Sequence, residues 1–174
     1  MTPVGQSSWR KRAGNHFRRA VPPTGPALVG MLVWAGAMGA SAFLSLFLDS
    51  WETPAKIGFV VLLYAFGAAL AFPVGLFAAR LVSLGRPREV AFAAAFVCLL
   101  AATLAFTGGL FALEYRSYYV QWHAEAFTLT WTLQFVFTTL TALYQFAVLG
   151  IRLYFPLGFV ALVVASVWFA RQRR

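Results

Sequence analysis

Charge, cysteine and histidine are scarce in this sequence, and each shortage excludes something. Only 11% of the 174 residues are charged, under half of the roughly 25% usual in a soluble domain, which rules out a water-soluble globular protein. The single cysteine, Cys98, can form neither an intrachain disulfide nor a thiolate-rich metal site, and its place between Val97 and Leu99 reads as packing. The two histidines, His16 and His123, fall toward opposite sides of the membrane in the topology derived below. That excludes bis-histidine haem ligation within one chain and makes structural zinc untenable. The chain has no G-x-S-x-G, Walker-type loop or His-Glu-x-x-His string, so no recognised catalytic motif is present. The sequence therefore leans away from an enzyme and implies no metal or cofactor, only an apolar exterior that can hold bound lipid.

What is present is hydrophobic sequence in long runs. Aliphatic, aromatic and similar residues make up 61% of the chain, with 18 Phe, 6 Trp and 6 Tyr. A hydrocarbon core about 30 Å thick needs about 20 apolar residues of helix. Three runs meet that length, at 27–48, 57–82 and 90–113. Residues 1–26 form a basic tail ending in the extended Val21-Pro22-Pro23-Thr24-Gly25-Pro26 linker, and 171–174 a short basic tail. The first run starts late, is long and has no small-residue cleavage pattern after it, so it reads as a retained span rather than a signal peptide.

The region 126–170 admits two readings. Two further spans, 126–149 and 153–170, joined by a tight turn at Gly150-Ile151-Arg152, give five helices and put the C-terminus opposite the N-terminus. A single last span from about 147 to 170 gives four helices with both ends on one side. Hydrophobic length favours five, because an interfacial helix carries charge on its wet face and residues 126–151 carry none. The positive-inside rule favours four, because it groups Arg171, Arg173 and Arg174 with the other basic clusters. The expected fold is an all-α polytopic helical bundle of five transmembrane helices, alternatively four, with no soluble domain. The alternation from Thr128 to Phe135 imitates a strand, but an open strand edge in lipid would leave backbone groups unpaired.

The net charge of +9 would suit a nucleic-acid binder, yet its distribution points elsewhere. Arg10, Lys11, Arg12, Arg18 and Arg19 precede the first run, Arg80, Arg86 and Arg88 sit between the second and third, and the rest of the clusters close the chain. These are flanking charges that orient a membrane protein toward anionic headgroups. Membrane lipids and other membrane subunits are the expected partners, nucleic acid is not, and a bacterial inner membrane with a cytoplasmic N-terminus fits the pattern. Four of the five acidic residues, Asp49, Glu52, Glu114 and Glu125, then face the other side.

Three groups of residues are functional candidates. An outer-face polar cluster comprises Asp49, Glu52, Glu114, Arg116, His123 and Glu125. A His beside carboxylates could move a proton or help hold a cation, although the neighbouring Trp51, Tyr115, Tyr118, Tyr119 and Trp122 also suit an aromatic belt with interfacial charges. An intramembrane stripe, Gln134, Thr138, Thr141 and Gln145, either lines a polar path or ties helices together. Small residues at a spacing of four, Gly67, Ala71 and Gly75, then Ala101, Ala105 and Gly109, form helix-packing faces. An accessory or assembly subunit of a larger membrane complex is the favoured function. A small oligomeric transporter or channel, and an interfacial enzyme acting on lipid or quinone, are the alternatives.

Overall fold

The computed structural model describes residues 20–50 and 53–172. The Arg10 to Arg19 cluster, His16, Trp51, Glu52, Arg173 and Arg174 lie outside the described residues. Five α-helices account for most of the described chain: α1 Thr24–Asp49, α2 Pro54–Val82, α3 Arg88–Tyr119, α4 Leu129–Gln145 and α5 Leu157–Arg171. Among the described residues there is no strand, and the Thr128 to Phe135 alternation lies at the start of α4. Four segments, the last being Leu129–Tyr154, are long and apolar enough to cross a membrane. Leu32, Leu62, Phe66 and Val97 point outward, an arrangement that costs nothing in hydrocarbon and much in water. The protein is an all-α integral membrane bundle.

The packing register gives each helix its direction. Gly39 of α1 lies against Ala65 and Val61 of α2, while Gly30 lies against Phe72, so these two helices are antiparallel. Gly67 of α2 meets Thr107 of α3 and Gly75 meets Leu99, so this pair is antiparallel too. At the tight turn after α2, Gly85 takes φ +67°, a left-handed conformation that glycine adopts without penalty. Pro73 lies inside α2, which runs unbroken through it.

The last two helices run in the same direction. Arg116 of α3 lies over Phe135 of α4, and Phe111 lies beside Phe146, so α4 descends along the far end of α3. Then α5 continues downward. Its Gly158 amide donates to Ser41 Oγ at 3.1 Å, and its Val164 and Trp168 share a groove with Val29 and Val33, near the start of α1. The five helices expected from the sequence are present, but Gly150-Ile151-Arg152 does not reverse the chain. Arg152 instead sits at the Asp49 end, with its guanidinium 3.9 Å from that carboxylate. Both ends of the bundle therefore lie on one side, together with Arg80, Arg88 and Arg171, as the distribution of basic residues favours. Arg80 reaches the Val21 carbonyl at 3.3 Å there.

The descent is broken. After α4 the backbone passes through a π-helical turn, Phe146–Gly150, a 3₁₀ turn, Ile151–Tyr154, and Pro156 before α5. Irregular backbone at membrane depth must find its hydrogen bonds within the protein. Here Tyr64 Oη donates to the Gly150 carbonyl at 2.7 Å, Ser45 Oγ to the Phe155 carbonyl at 2.8 Å, and Ser41 Oγ accepts from Gly158. Around this break lies the core of Met38, Tyr64, Phe146, Leu153 and Tyr154.

A reporter fused after Arg174 is expected in the same compartment as one inserted in residues 83–87. A reporter within residues 123–128 is expected in the opposite one. A C-terminal reporter that shares the compartment of the 123–128 insertion would contradict the shared direction of α4 and α5.

Candidate functional site

The functional candidates converge on the end of the bundle where α1 stops, but they do not form one site. Asp49 ends α1 and pairs with Arg152 at 3.9 Å, both side chains about half exposed. Glu114, exposed on α3, lines the same cavity as Gln145 and Arg152. Arg116 faces another way, its guanidinium 4.4 Å from the centre of the Phe135 ring, a cation–π contact worth about 0.5–1 kcal/mol where exposed. His123 Nε2 is 3.4 Å from Thr138 Oγ1, and its Nδ1 is enclosed without a hydrogen-bond partner among the described residues. Glu125 is exposed; its backbone carbonyl accepts from the Thr128 hydroxyl at 2.8 Å. Thr128 in turn caps α4 by accepting from the Trp131 amide. Glu52 lies outside the described residues.

Two separate groups result. Glu114, Gln145 and Arg152 line a crevice with Asp49 paired to Arg152 beside it, whereas Arg116 and His123 fasten α4 to the end of α3. Arg152 is the residue that sequence reasoning left outside the cluster. Its only signal there was its standing as the single charge between residues 126 and 170. Among the described residues no three His, Cys, Asp or Glu side chains come close enough to hold a metal ion.

The aromatic residues gather where α3 leaves the bundle. Tyr115 and Tyr119 have ring centres 4.7 Å apart, and Tyr118 lies 5.3 Å from Trp122. From Glu114 to Trp122 the helical path adds about 12 Å, so the α3–α4 hairpin extends beyond the level at which Asp49 and Arg152 meet.

The Thr/Gln stripe is mostly used inside this hairpin. Gln134 Oε1 accepts from the Ala124 amide at 2.9 Å, Thr138 Oγ1 donates to the Gln134 carbonyl, and Thr139 donates to Phe135 at 2.8 Å. Gln145 lines the crevice, and Thr141 is exposed. Gln134, Thr138 and Thr139 thus lie on the half-buried face of α4, while Thr130, Thr132 and Thr141 share the outer face with the exposed Leu129, Leu133, Phe137, Leu140 and Tyr144. Phe127, just before α4, is 90% exposed in a left-handed conformation at φ 68°, which bulky side chains rarely adopt.

The two small-residue stripes also differ. Gly67, Ala71 and Gly75 are buried against α3. Ala101 and Ala105 are exposed, and a Cβ at Gly109 would meet nothing within 4 Å.

These features define the class: an all-α membrane bundle of three regular helices and one broken descending pass, with a hairpin extended at the acidic end. No family model, curated protein or solved structure matches the chain.

Proposed function

We propose that this protein is an accessory or assembly subunit of a larger membrane complex, which it joins through the outward face of the α3–α4 hairpin. The observation that carries this reading is the inverted amphipathicity of α4. Its Gln134, Thr138 and Thr139 are spent on contacts within the chain, while Leu129, Leu133, Phe137, Leu140 and Tyr144 are left uncovered. A helix in that state needs apolar surroundings on its outer side. Because the hairpin extends past the ends of α1 and α2, another protein supplies them better than hydrocarbon does. The outward Ala101, Ala105 and Gly109 give a second face that allows close backbone approach by a partner helix, the way helices associate without a hydrophobic driving force.

The transporter and enzyme readings have less support. A polar path would need Gln134 and Thr138 to face a conduit, and both are engaged between α3 and α4. An interfacial enzyme using His123 would need its ring near Glu125 or Glu114, but its contact is with Thr138.

Purification in mild detergent should recover stoichiometric companion proteins. Leu133→Gln combined with Phe137→Gln should release them while leaving the chain folded and monodisperse. A wild-type chain that purifies alone, or companions retained by the double variant, would overturn this assignment.

A further inference from the structure

We infer that the crevice beside the helix break is a binding site for a zwitterionic phospholipid, one carrying both a phosphate and an ammonium group. The inference stands apart from the assembly reading. The cavity measures about 220 Å³ and is open at its mouth. Its apolar walls come from four parts of the fold: Leu46 on α1, Phe59 and Leu63 on α2, Phe111 on α3, and Phe146, Leu149 and Leu153 on the π and 3₁₀ turns. A continuous helix would have filled this space. The break holds it open, with its displaced Gly150 carbonyl accepting from Tyr64 rather than facing the cavity unpaired.

Apart from the Tyr64 hydroxyl, which is engaged with Gly150, the polar side chains of the lining are Glu114, Gln145 and Arg152, and Asp49 pairs with Arg152 beside them. Apolar walls with a few polar groups at one end match an amphiphile: acyl chain against Phe and Leu, headgroup at the charged rim. The signs of the rim charges narrow the headgroup. A guanidinium binds phosphate oxygens in a fork geometry, and the Arg152 guanidinium is directed toward the end of α1, 3.9 Å from the Asp49 carboxylate. A carboxylate at the same rim attracts an ammonium group and repels a second anion. The phosphoethanolamine headgroup carries both matching charges, whereas phosphoglycerol offers Glu114 only neutral hydroxyl donors and brings an uncompensated negative charge. The larger groove between α1 and α5, about 430 Å³ and bounded by Val29, Val33, Val164 and Trp168, has no charged residue in its lining. It can hold lipid chains but cannot choose among headgroups.

The test is lipid retention by the full-length protein. The chain is reconstituted in vesicles of equimolar phosphatidylethanolamine and phosphatidylglycerol, extracted in mild detergent, and its retained lipid measured by mass spectrometry. Wild type should retain phosphatidylethanolamine over phosphatidylglycerol by about threefold, the discrimination one exposed ion pair supports. Glu114→Gln should bring that ratio to about one while total phospholipid changes little. Arg152→Gln should lower retention of both lipids, and Leu63→Trp, which fills the crevice, should do the same without touching the rim charges. Glu114 is exposed, so its variant tests recognition without testing the fold. Equal retention of the two lipids by wild type, or a preference that survives Glu114→Gln, would overturn the inference.

Discussion

Gly67→Leu should separate α2 from α3 and cost about 3 kcal/mol or more, the upper part of the range for overpacked cores. A Cβ at this position would stand 2.5 Å from Thr107 Oγ1 and 2.8 Å from Thr107 Cα. The hydroxyl can rotate away, but the Cα belongs to a helix and cannot move alone. In lipid the two helices are held by close packing rather than by exclusion of water, so a forced separation loses the interaction that joins them. Gly75→Ala should be milder, because its Cβ would lie 3.1 Å from Leu99 Cα and the Cys98 carbonyl oxygen. Gly109→Leu and Gly58→Ala should leave stability within about 0.5 kcal/mol, as expected of surface changes, since nothing lies within 4 Å of either new Cβ. Unfolding in mixed micelles with increasing denaturing detergent would rank the four. A Gly67→Leu protein as stable as wild type would refute this account of the α2–α3 seam.

The contrast between Gly67 and Gly109 shows what spacing could and could not convey. Both belong to stripes of small residues four apart, and the sequence offers both alike as packing faces. The spacing places residues on one side of a helix, but not that side toward the bundle. Thr107 and Leu99, which sit opposite Gly67 and Gly75, decide it from another helix. Hydropathy located the first three helices to within a few residues at most boundaries, because a bilayer imposes one length on every span. It failed at the end of α3, where Glu114-Tyr115-Arg116 ends the apolar run and the helix continues to Tyr119. Hydropathy marks the bilayer boundary there rather than the helix end, and no glycine or proline interrupts the stretch.

For the C-terminal region, charge was the better guide. Residues 126–151 lack charge, which suggested a full span with a reversal after it. Gln134, Thr138 and Thr139 lie on the half-buried face of α4 and Thr130, Thr132 and Thr141 on its exposed face, and the chain continues in the same direction into α5 rather than reversing. The basic residues respond to the side of the membrane rather than to local packing, and α5 ends beside them. The Asp49–Arg152 pair was not legible, because it joins residues 103 positions apart through a backbone break that no local pattern specifies.

That break underlies the second large effect. Tyr64→Phe should destabilise the protein by about 1–3 kcal/mol, the cost of leaving a half-buried acceptor at membrane depth unpaired. The substitution removes only the hydroxyl that satisfies the Gly150 carbonyl at 2.7 Å and keeps the ring against Tyr154, 5.0 Å between centres. Ser41→Ala should cost a similar amount, because the Gly158 amide that loses its acceptor is buried. Ser45→Ala should likewise cost about 1–3 kcal/mol, because the Phe155 carbonyl that loses its donor belongs to irregular backbone at membrane depth, where no water replaces the hydroxyl. Amide hydrogen exchange would distinguish these effects from general loosening. If the three hydroxyls hold an irregular segment in place, exchange should accelerate first between Gly150 and Gly158, and the α2–α3 seam should stay protected. Unchanged exchange there in Tyr64→Phe would mean the break is stabilised by packing around Phe146 and Leu153, with the hydrogen bonds secondary.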